Sequence, residues 1–557
     1  MQVSEAIVRI LEKEGITDAF GIPGAGINPV YQYLNRSESI RHYTMRHEEA
    51  AVHAADGYFR ASGRLAAAIC TSGPGATNFI TGLYTADIDS IPLVALTGQN
   101  VTALLGKDAF QCVDIAEIAS PVCKRTWCVK EPQSIPSVFA EAFHTARAGK
   151  PGPVLIDLPL DVQKAEIDFD IDSYSSLAVE PVLPDEELTR KAVDLLAAAE
   201  KPVMIMGGGV ILSHAEGACL ALAELMKLPV ITTYMAKGGI PEDHPLNAQH
   251  MGIQVGASSI GNRVFLDSDV VLAIGGRFSD RHTGDISVYK GKRRFIHVNI
   301  EPAEIGKIIE PEIGIVSDAK AAAEALLAEA KRRGGEWKGA DRVRQLQDLR
   351  KAVMLTPEDD GNGIHPKTVY FELNHSFDDE TMYTTGCGNN QIWSGQYQRI
   401  NKPRKYLPSG GAGTLGFDIP AAIGASVACG GAKTVCVMGD FGFTFLVEEL
   451  AVAAREGLPV SVVILNNANM SLIRQNQKYA YGYEYAVTMK ENKDIIDYVK
   501  VAEGFGCKAE RVKRSADLPS ALERAKRADG PYVVEVFVED ETDCNMGLAI
   551  DSIKMFI

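Results

Sequence analysis

The stretch that most constrains this chain runs from Val435 to Gln477, VCVMGDFGFTFLVEELAVAAREGLPVSVVILNNANMSLIRQNQ. It holds two short apolar strand patterns, Val435 to Met438 and Val460 to Leu465. A helical pattern from Thr444 to Arg455 lies between them, with Phe445, Leu446, Glu449, Leu450 and Ala453 at helical spacing, and Gly457-Leu458-Pro459 ends it. Strand, helix and strand in this order make a parallel βαβ unit, so both strands run the same way and finish at one edge of a sheet. The first finishes on Gly439-Asp440 and the second on Asn466-Asn467. Open α/β sheets bind ligands at that carboxyl edge. One carboxylate, one amide oxygen and a backbone carbonyl nearby are hard donors, suited to a divalent cation that keeps water and a phosphate as its other ligands. Either dipeptide alone reads as a helix cap or a turn. Together, after two intact strands, they point to magnesium bridging a diphosphate.

At 557 residues the chain is too long for one core, and three domains are expected. The first, 1–165, alternates helical patterns with strands such as Ala66 to Cys70, Leu93 to Thr97 and Val154 to Leu158. Its Gly/Pro-rich turns follow strands and gather at one edge. Residues 166 to 187 lose that pattern and collect prolines and acids, as a linker does. A second α/β domain, 188–335, has strand patterns at Pro202 to Met206, Val230 to Thr232, Val270 to Ile274 and Phe295 to Asn299. A charged helical stretch from Leu327 to Leu355, expected to be mostly solvated, leads to a third α/β domain, 366–557. The fold class expected is α/β, with three doubly wound parallel sheets.

The net charge of −16 argues against a nucleic-acid or membrane-surface partner and requires a local cationic site for any anionic substrate. Ten cysteines show no zinc-like spacing, no signal segment opens the chain, and no apolar run is long enough to span a bilayer. A cytoplasmic protein is expected.

Two further stretches, RHEEAAVHAADGYFRASG from Arg46 and TSGPGATNFITGLYTADIDSIPLVALTGQ from Thr71, complete the pattern. With the Gly-Asp to Asn-Asn motif they closely resemble the thiamine-diphosphate enzymes. The resemblance implies that Glu48 is the carboxylic acid that activates the cofactor, with Gln111 as a second catalytic residue. Ser72, Gly73 and Asn78 would contact the cofactor from the same domain. From the third domain Gly388, Asn389, Asn390, Gly439, Asp440, Phe441, Gly442 and Asn467 would meet the diphosphate side. The Gly413 carbonyl would accept from the aminopyrimidine and Leu415 would wedge the cofactor into its bent form. The Mg2+ ligands would be Asp440, Asn467 and the main-chain oxygen of Asn469. Phe441 stands where most of this superfamily has a second glycine. The cofactor of this family sits between subunits, so a homodimer or homotetramer is implied.

Gly275 to Arg281, GGRFSDR, and His297 to Gly306, HVNIEPAEIG, resemble the FAD-binding central domain of glyoxylate carboligases and acetolactate synthases. Arg147, Gly207, Gly208, Gly209, Gly275, Arg277, Arg281, Glu301 and Asp318 are the flavin-contact candidates that follow. The stretches Pro23-Gly24-Ala25, Lys107 to Ile115, Gly314 to Lys320, Gly439-Asp440-Phe441 and Leu472 to Gln475 favour glyoxylate carboligase, as does Asn476 where acetolactate synthases usually carry tryptophan. Glu48 favours the synthases, since the best-known glyoxylate carboligases have valine there. The Asn390-Gln391-Ile392-Trp393 stretch leans the same way. The activity implied is decarboxylating carboligation of small 2-oxo acids through a ylide and an enamine, two glyoxylates giving tartronate semialdehyde. Formation of acetolactate from two pyruvates, or an aldehyde as donor or acceptor, is the alternative.

Overall fold

A computed structural model describes residues 1–256, 259–335, 337–352, 355–489 and 496–552. Three six-stranded, all-parallel sheets follow one another along the chain. The first comprises β1 (Asp18–Gly21), β2 (Arg41–Thr44), β3 (Ala67–Cys70), β4 (Val94–Gln99), β5 (Arg125–Cys128) and β6 (Val154–Pro159), in the order β2-β1-β3-β4-β6-β5. The second comprises β7 (Pro202–Met206), β8 (Val230–Thr232), β9 (Asn247–His250), β10 (Val270–Ile274), β11 (Arg294–Asn299) and β12 (Ile313–Val316), in the order β12-β11-β10-β7-β8-β9. Read from the other edge, that is the dinucleotide-binding order, with the switch point between β7 and β10. The third comprises β13 (Met382–Thr385), β14 (Tyr406–Pro408), β15 (Thr434–Gly439), β16 (Val460–Asn466), β17 (Lys508–Val512) and β18 (Tyr532–Phe537), in the order β14-β13-β15-β16-β18-β17. It repeats the first sheet strand for strand. The central strands are buried on both faces, which is why they read as unbroken apolar runs.

The equivalent crossover helices of the first and third domains, Glu48–Ser62 and Asp418–Ala428, lie against each other. Glycine makes this approach possible: a Cβ on Gly424 would overlap the carbonyl oxygen of Ala54, and one on Gly57 that of Ala421. Apolar residues of both domains merge here into one core, in which Ile419, Ile423 and Phe443 join Val52, Ala55 and Phe79.

Three local expectations change. The pattern from Thr444 to Arg455 is not one helix, because Leu446 adopts a left-handed backbone (φ 55°) and splits it into a 3-10 turn, Val447–Glu449, and a helix, Leu450–Glu456. The periodicity still marked four of its five positions, since Leu446, Glu449, Leu450 and Ala453 are buried, whereas Phe445 is exposed. The charged stretch from Leu327 to Leu355 divides at Gly334 and Gly335 into helices Ala319–Arg333 and Ala340–Ala352; its positions 336, 353 and 354 lie outside the described residues. Not all of its charge is solvated: Arg342 is buried and donates to Asp267 and to the Val264 carbonyl. The linker is anchored too, with Val182 O accepting from Ser317 Oγ (2.9 Å) and Asp318 N (2.8 Å). No helix among the described residues is long and apolar enough to cross a membrane.

Candidate active site

At the carboxyl edge of the first sheet, β2 leads through Met45, Arg46 and His47 into the helix Glu48–Ser62. His47 caps it, its Nδ1 accepting from Glu49 N at 3.2 Å, so Glu48 stands at the first helical position. Glu48 Oε2 accepts from Asn78 Nδ2 at 2.9 Å, and Gly75 runs so close that a Cβ there would lie 3.1 Å from Glu48 Oε1. Ser72 and Gly73 follow β3, Ser72 buried and Gly73 at φ 62°. A Cβ on Gly73 would stand 2.7 Å from that of Gln111, which itself holds a left-handed backbone (φ 55°). The structure therefore gathers Glu48, Asn78, Ser72, Gly73 and Gln111 around one edge.

In the third sheet β15 and β16 are hydrogen-bonded neighbours, with Gly439 opposite Leu465. Asp440 is buried and accepts at Oδ2 from Ala468 N (2.5 Å), which closes the turn after β16 onto the end of β15. The two asparagines part company. Asn466 turns into the sheet and donates to Glu535 Oε1 at 2.7 Å, while Asn467 Oδ1 accepts from Ser471 Oγ at 3.0 Å. Ser471 Oγ also lies 3.3 Å from the Asn469 carbonyl, so Asn467 and Asn469 share one buried turn, which Asp440 meets through Ala468 N. Among the described residues no cluster of three or more His, Cys, Asp or Glu side chains could hold a metal.

Gly388 (φ 133°) starts the helix Asn389–Tyr397. The side chains of Asn389 and Asn390 serve the scaffold, Asn389 Oδ1 accepting from Cys544 and Asn390 Nδ2 donating to Val437 O (3.1 Å). The groups this turn can offer an anion are thus backbone N–H groups at a helix start. Gly413 (φ 64°) lies beside Cys387, and Leu415 packs over Gly442. Phe441, in the place of a glycine, is accommodated beside Phe445, ring centroids 5.4 Å apart.

The central domain borders a cavity of about 520 Å³. Gly208, Gly209, Gly275, Arg277, Arg281 and Asp318 line it, as does Arg147 from the first domain. Gly207 and Glu301 are not among its lining residues. Gly207 packs where a Cβ would strike the Gly275 backbone, and Glu301 Oε1 accepts from Ala303 N at 3.3 Å. Arg147 donates to Glu14 Oε2 (2.7 Å), and Asp318 caps the helix Ala319–Arg333. Residues the sequence did not single out complete the wall: Arg60 and Asp89 of the first domain, and Val179 to Val182 of the linker. No local motif marks these, because they are brought in by domain packing.

Three family descriptions match the chain in series. "Thiamine pyrophosphate enzyme, N-terminal TPP binding domain" covers residues 1–118, the central domain of the same enzymes 189–326, and the C-terminal TPP binding domain 386–536. The chain belongs to the thiamine pyrophosphate enzyme family. It is 42% identical over 577 residues to a glyoxylate carboligase of Escherichia coli O157:H7, spanning 100% of this chain and 96% of that protein. It is 39% identical over 552 residues to an acetolactate synthase large subunit of Corynebacterium glutamicum (97% and 87%) and 38% over 564 residues to a probable acetolactate synthase large subunit of Methanococcus aeolicus (98% and 93%). The residues present suit the family's cofactor. Asp440, Asn467 and Asn469 supply hard oxygen donors of the kind a divalent cation takes.

Proposed function

We propose that this thiamine pyrophosphate enzyme is a carboligase that joins two glyoxylates into tartronate semialdehyde with loss of carbon dioxide, using Mg2+ and carrying FAD. The observation that carries the donor assignment is the 42% likeness to a glyoxylate carboligase along the whole chain. Thiamine diphosphate, when bound, supplies the nucleophilic carbon and the electron sink. The chain's residues bind, orient and handle protons. Asp440, Asn467 and the Asn469 carbonyl would hold the cation, and the helix start at Gly388 the diphosphate. Gly413 and Leu415 would set the bend. Glu48 would share a proton through Oε1, because Oε2 is occupied by Asn78. Gln111, fixed on Gly73, would face the reacting centre.

The cavity supports the FAD assignment: Gly208, Gly209 and Gly275 allow close backbone approach, and Arg147, Arg277 and Arg281 supply positive charge in an acidic protein. Arg277, beside Gly411, is the candidate for the acceptor carboxylate. Exposed apolar side chains cluster on the two loops that carry the site, Phe110 (86% exposed) beside Gln111 and Tyr481 (70%) and Tyr485 (77%) beyond the metal turn. Such patches on both halves support a homodimer or homotetramer with sites between subunits.

Glyoxylate lacks the pyruvate methyl, so discrimination rests on packing and amounts to about 10- to 200-fold. A competition assay with both acids at equal concentration, with products identified by mass spectrometry, should give mainly tartronate semialdehyde. Acetolactate as the main product would establish the second reading, which Glu48 favours.

A further inference from the structure

The equivalence of the first and third domains extends to one pair of buried carboxylates. Glu449 sits on the crossover between β15 and β16 and reaches into the first domain, where its Oε1 accepts from Arg46 N and His47 N, both at 2.9 Å. Asp89 sits on the crossover between β3 and β4 and reaches the other way. Its Oδ2 accepts from Gly410 N at 3.1 Å and its Oδ1 from Gly411 N at 2.9 Å. The gripped amides occupy the same place in each domain, the second and third residues after β2 in one case and after β14 in the other. Both carboxylates are buried. Immediately beyond the first pair comes Glu48; shortly beyond the second come Gly413 and Leu415.

We propose that Glu449 and Asp89 are reciprocal positioning residues, each rooted in one domain and fixing in the other the turn that carries a cofactor-contacting group. The proposal rests on the reading of Glu48, Gly413 and Leu415 given above. A turn at a sheet edge presents backbone N–H groups that need partners, and a buried carboxyl group taking two of them sets the turn's direction. Displacing a catalytic group by about 1 Å costs on the order of 100-fold in rate. The two clamps differ in one respect. Glu449 uses a single oxygen for both amides, and its Oε2 has no partner among the described residues. Asp89 uses both oxygens, with Arg60 Nη2 also donating to Oδ2 at 3.0 Å. An amide can replace the first, because one carbonyl oxygen suffices. It cannot replace the second, because its NH2 would face an N–H donor.

The test uses the full-length protein. Hydrogen exchange is measured without cofactor on peptides covering 44–50 and 408–416, and turnover with thiamine diphosphate and Mg2+ added. Glu449→Ala should expose the first peptide alone, and Asp89→Ala the second alone. Each should lose about 10- to 100-fold in kcat with little change in KM. Glu449→Gln should recover the greater part of both protection and turnover, whereas Asp89→Asn should not. If the alanine variants do not fold, the contrast between Glu449→Gln and Asp89→Asn alone decides. Unchanged protection in the gripped peptide, or equal behaviour of the two amide variants, overturns the proposal. Glu48→Gln is measured alongside: wild-type turnover there defeats the reading of Glu48, while a slow Glu48→Gln beside a fast Glu449→Ala defeats the clamp.

Discussion

The first and third domains have the same six strands in the same order, and their crossover helices pack face to face, yet they present different chemistry at equivalent edges. In the first, the second strand leads into Glu48, whose Oε2 accepts from Asn78. In the third, the equivalent helix also opens on an acid, Asp418, but that carboxylate is buried and accepts from Gly386 N within its own domain. The third domain offers its oxygens elsewhere, on Asp440 and Asn467 at the ends of its third and fourth strands. The lesson is that the shared architecture supplies positions, and the partners found there differ: the acid opening one helix accepts from a side chain, the acid opening the other from a backbone N–H.

The comparison can be broken or sharpened by substitution. The largest effect is expected at Asp440→Ala: Mg2+-dependent retention of thiamine diphosphate should disappear while the fold persists, since the carboxylate is the one charged ligand of the set. Calorimetry with unchanged cofactor affinity would place the cation elsewhere. Next comes Glu48→Gln, expected to slow exchange of the cofactor's C2 proton by about 10²- to 10⁴-fold, as loss of a positioned acid does. A wild-type exchange rate by quenched-flow NMR would make the two helix-opening acids alike, both dispensable for chemistry.

Gly424→Ala addresses the packing that relates the domains. Its methyl would meet the Ala54 carbonyl, so the helices must part, at a cost of about 1–3 kcal/mol. A denaturant midpoint equal to wild type would show that the contact is not tight. The last effect concerns Asp418, whose carboxyl burial pushes up to about 7. The folded state then holds a proton that the unfolded chain, with an ordinary carboxylate, releases at lower pH. Its contribution to stability is therefore fully present below about pH 4 and is lost as pH rises through about 7. Asp418→Asn should flatten that decline by no more than about 1.4 kcal/mol per pH unit. Melting temperatures at several pH values would reveal it, and parallel curves for variant and wild type would show that Asp418 is ionised throughout.

Much of this was legible in the residues because central strands of parallel sheets are apolar on both faces: Pro202–Met206, Val230–Thr232 and Val270–Ile274 stand where the pattern put them. Edge strands were not singled out. Asn247–His250 and Arg41–Thr44 carry polar side chains, and only pairing with a neighbour makes them strands. That Asp440 and Asn467 stand at neighbouring strand ends was legible because strand ends and crossover direction follow from local rules. That Asn466 serves the sheet and Asn467 the turn was not, since that depends on Glu535, far along the chain.

By itself, then, the sequence determined three α/β domains and the strand ends that carry Asp440 and Asn467, both consequences of periodicity and turn chemistry within short windows. Only the tertiary structure decided that the first and third domains share one strand order, that Arg60, Asp89 and Val182 border the central cavity, and that Glu449, in the turn that follows the break at Leu446, binds Arg46 and His47. The physical reason is plainest in the last case: a buried polar group must find a partner, and the N–H groups that meet Glu449 lie in another domain, hundreds of residues away.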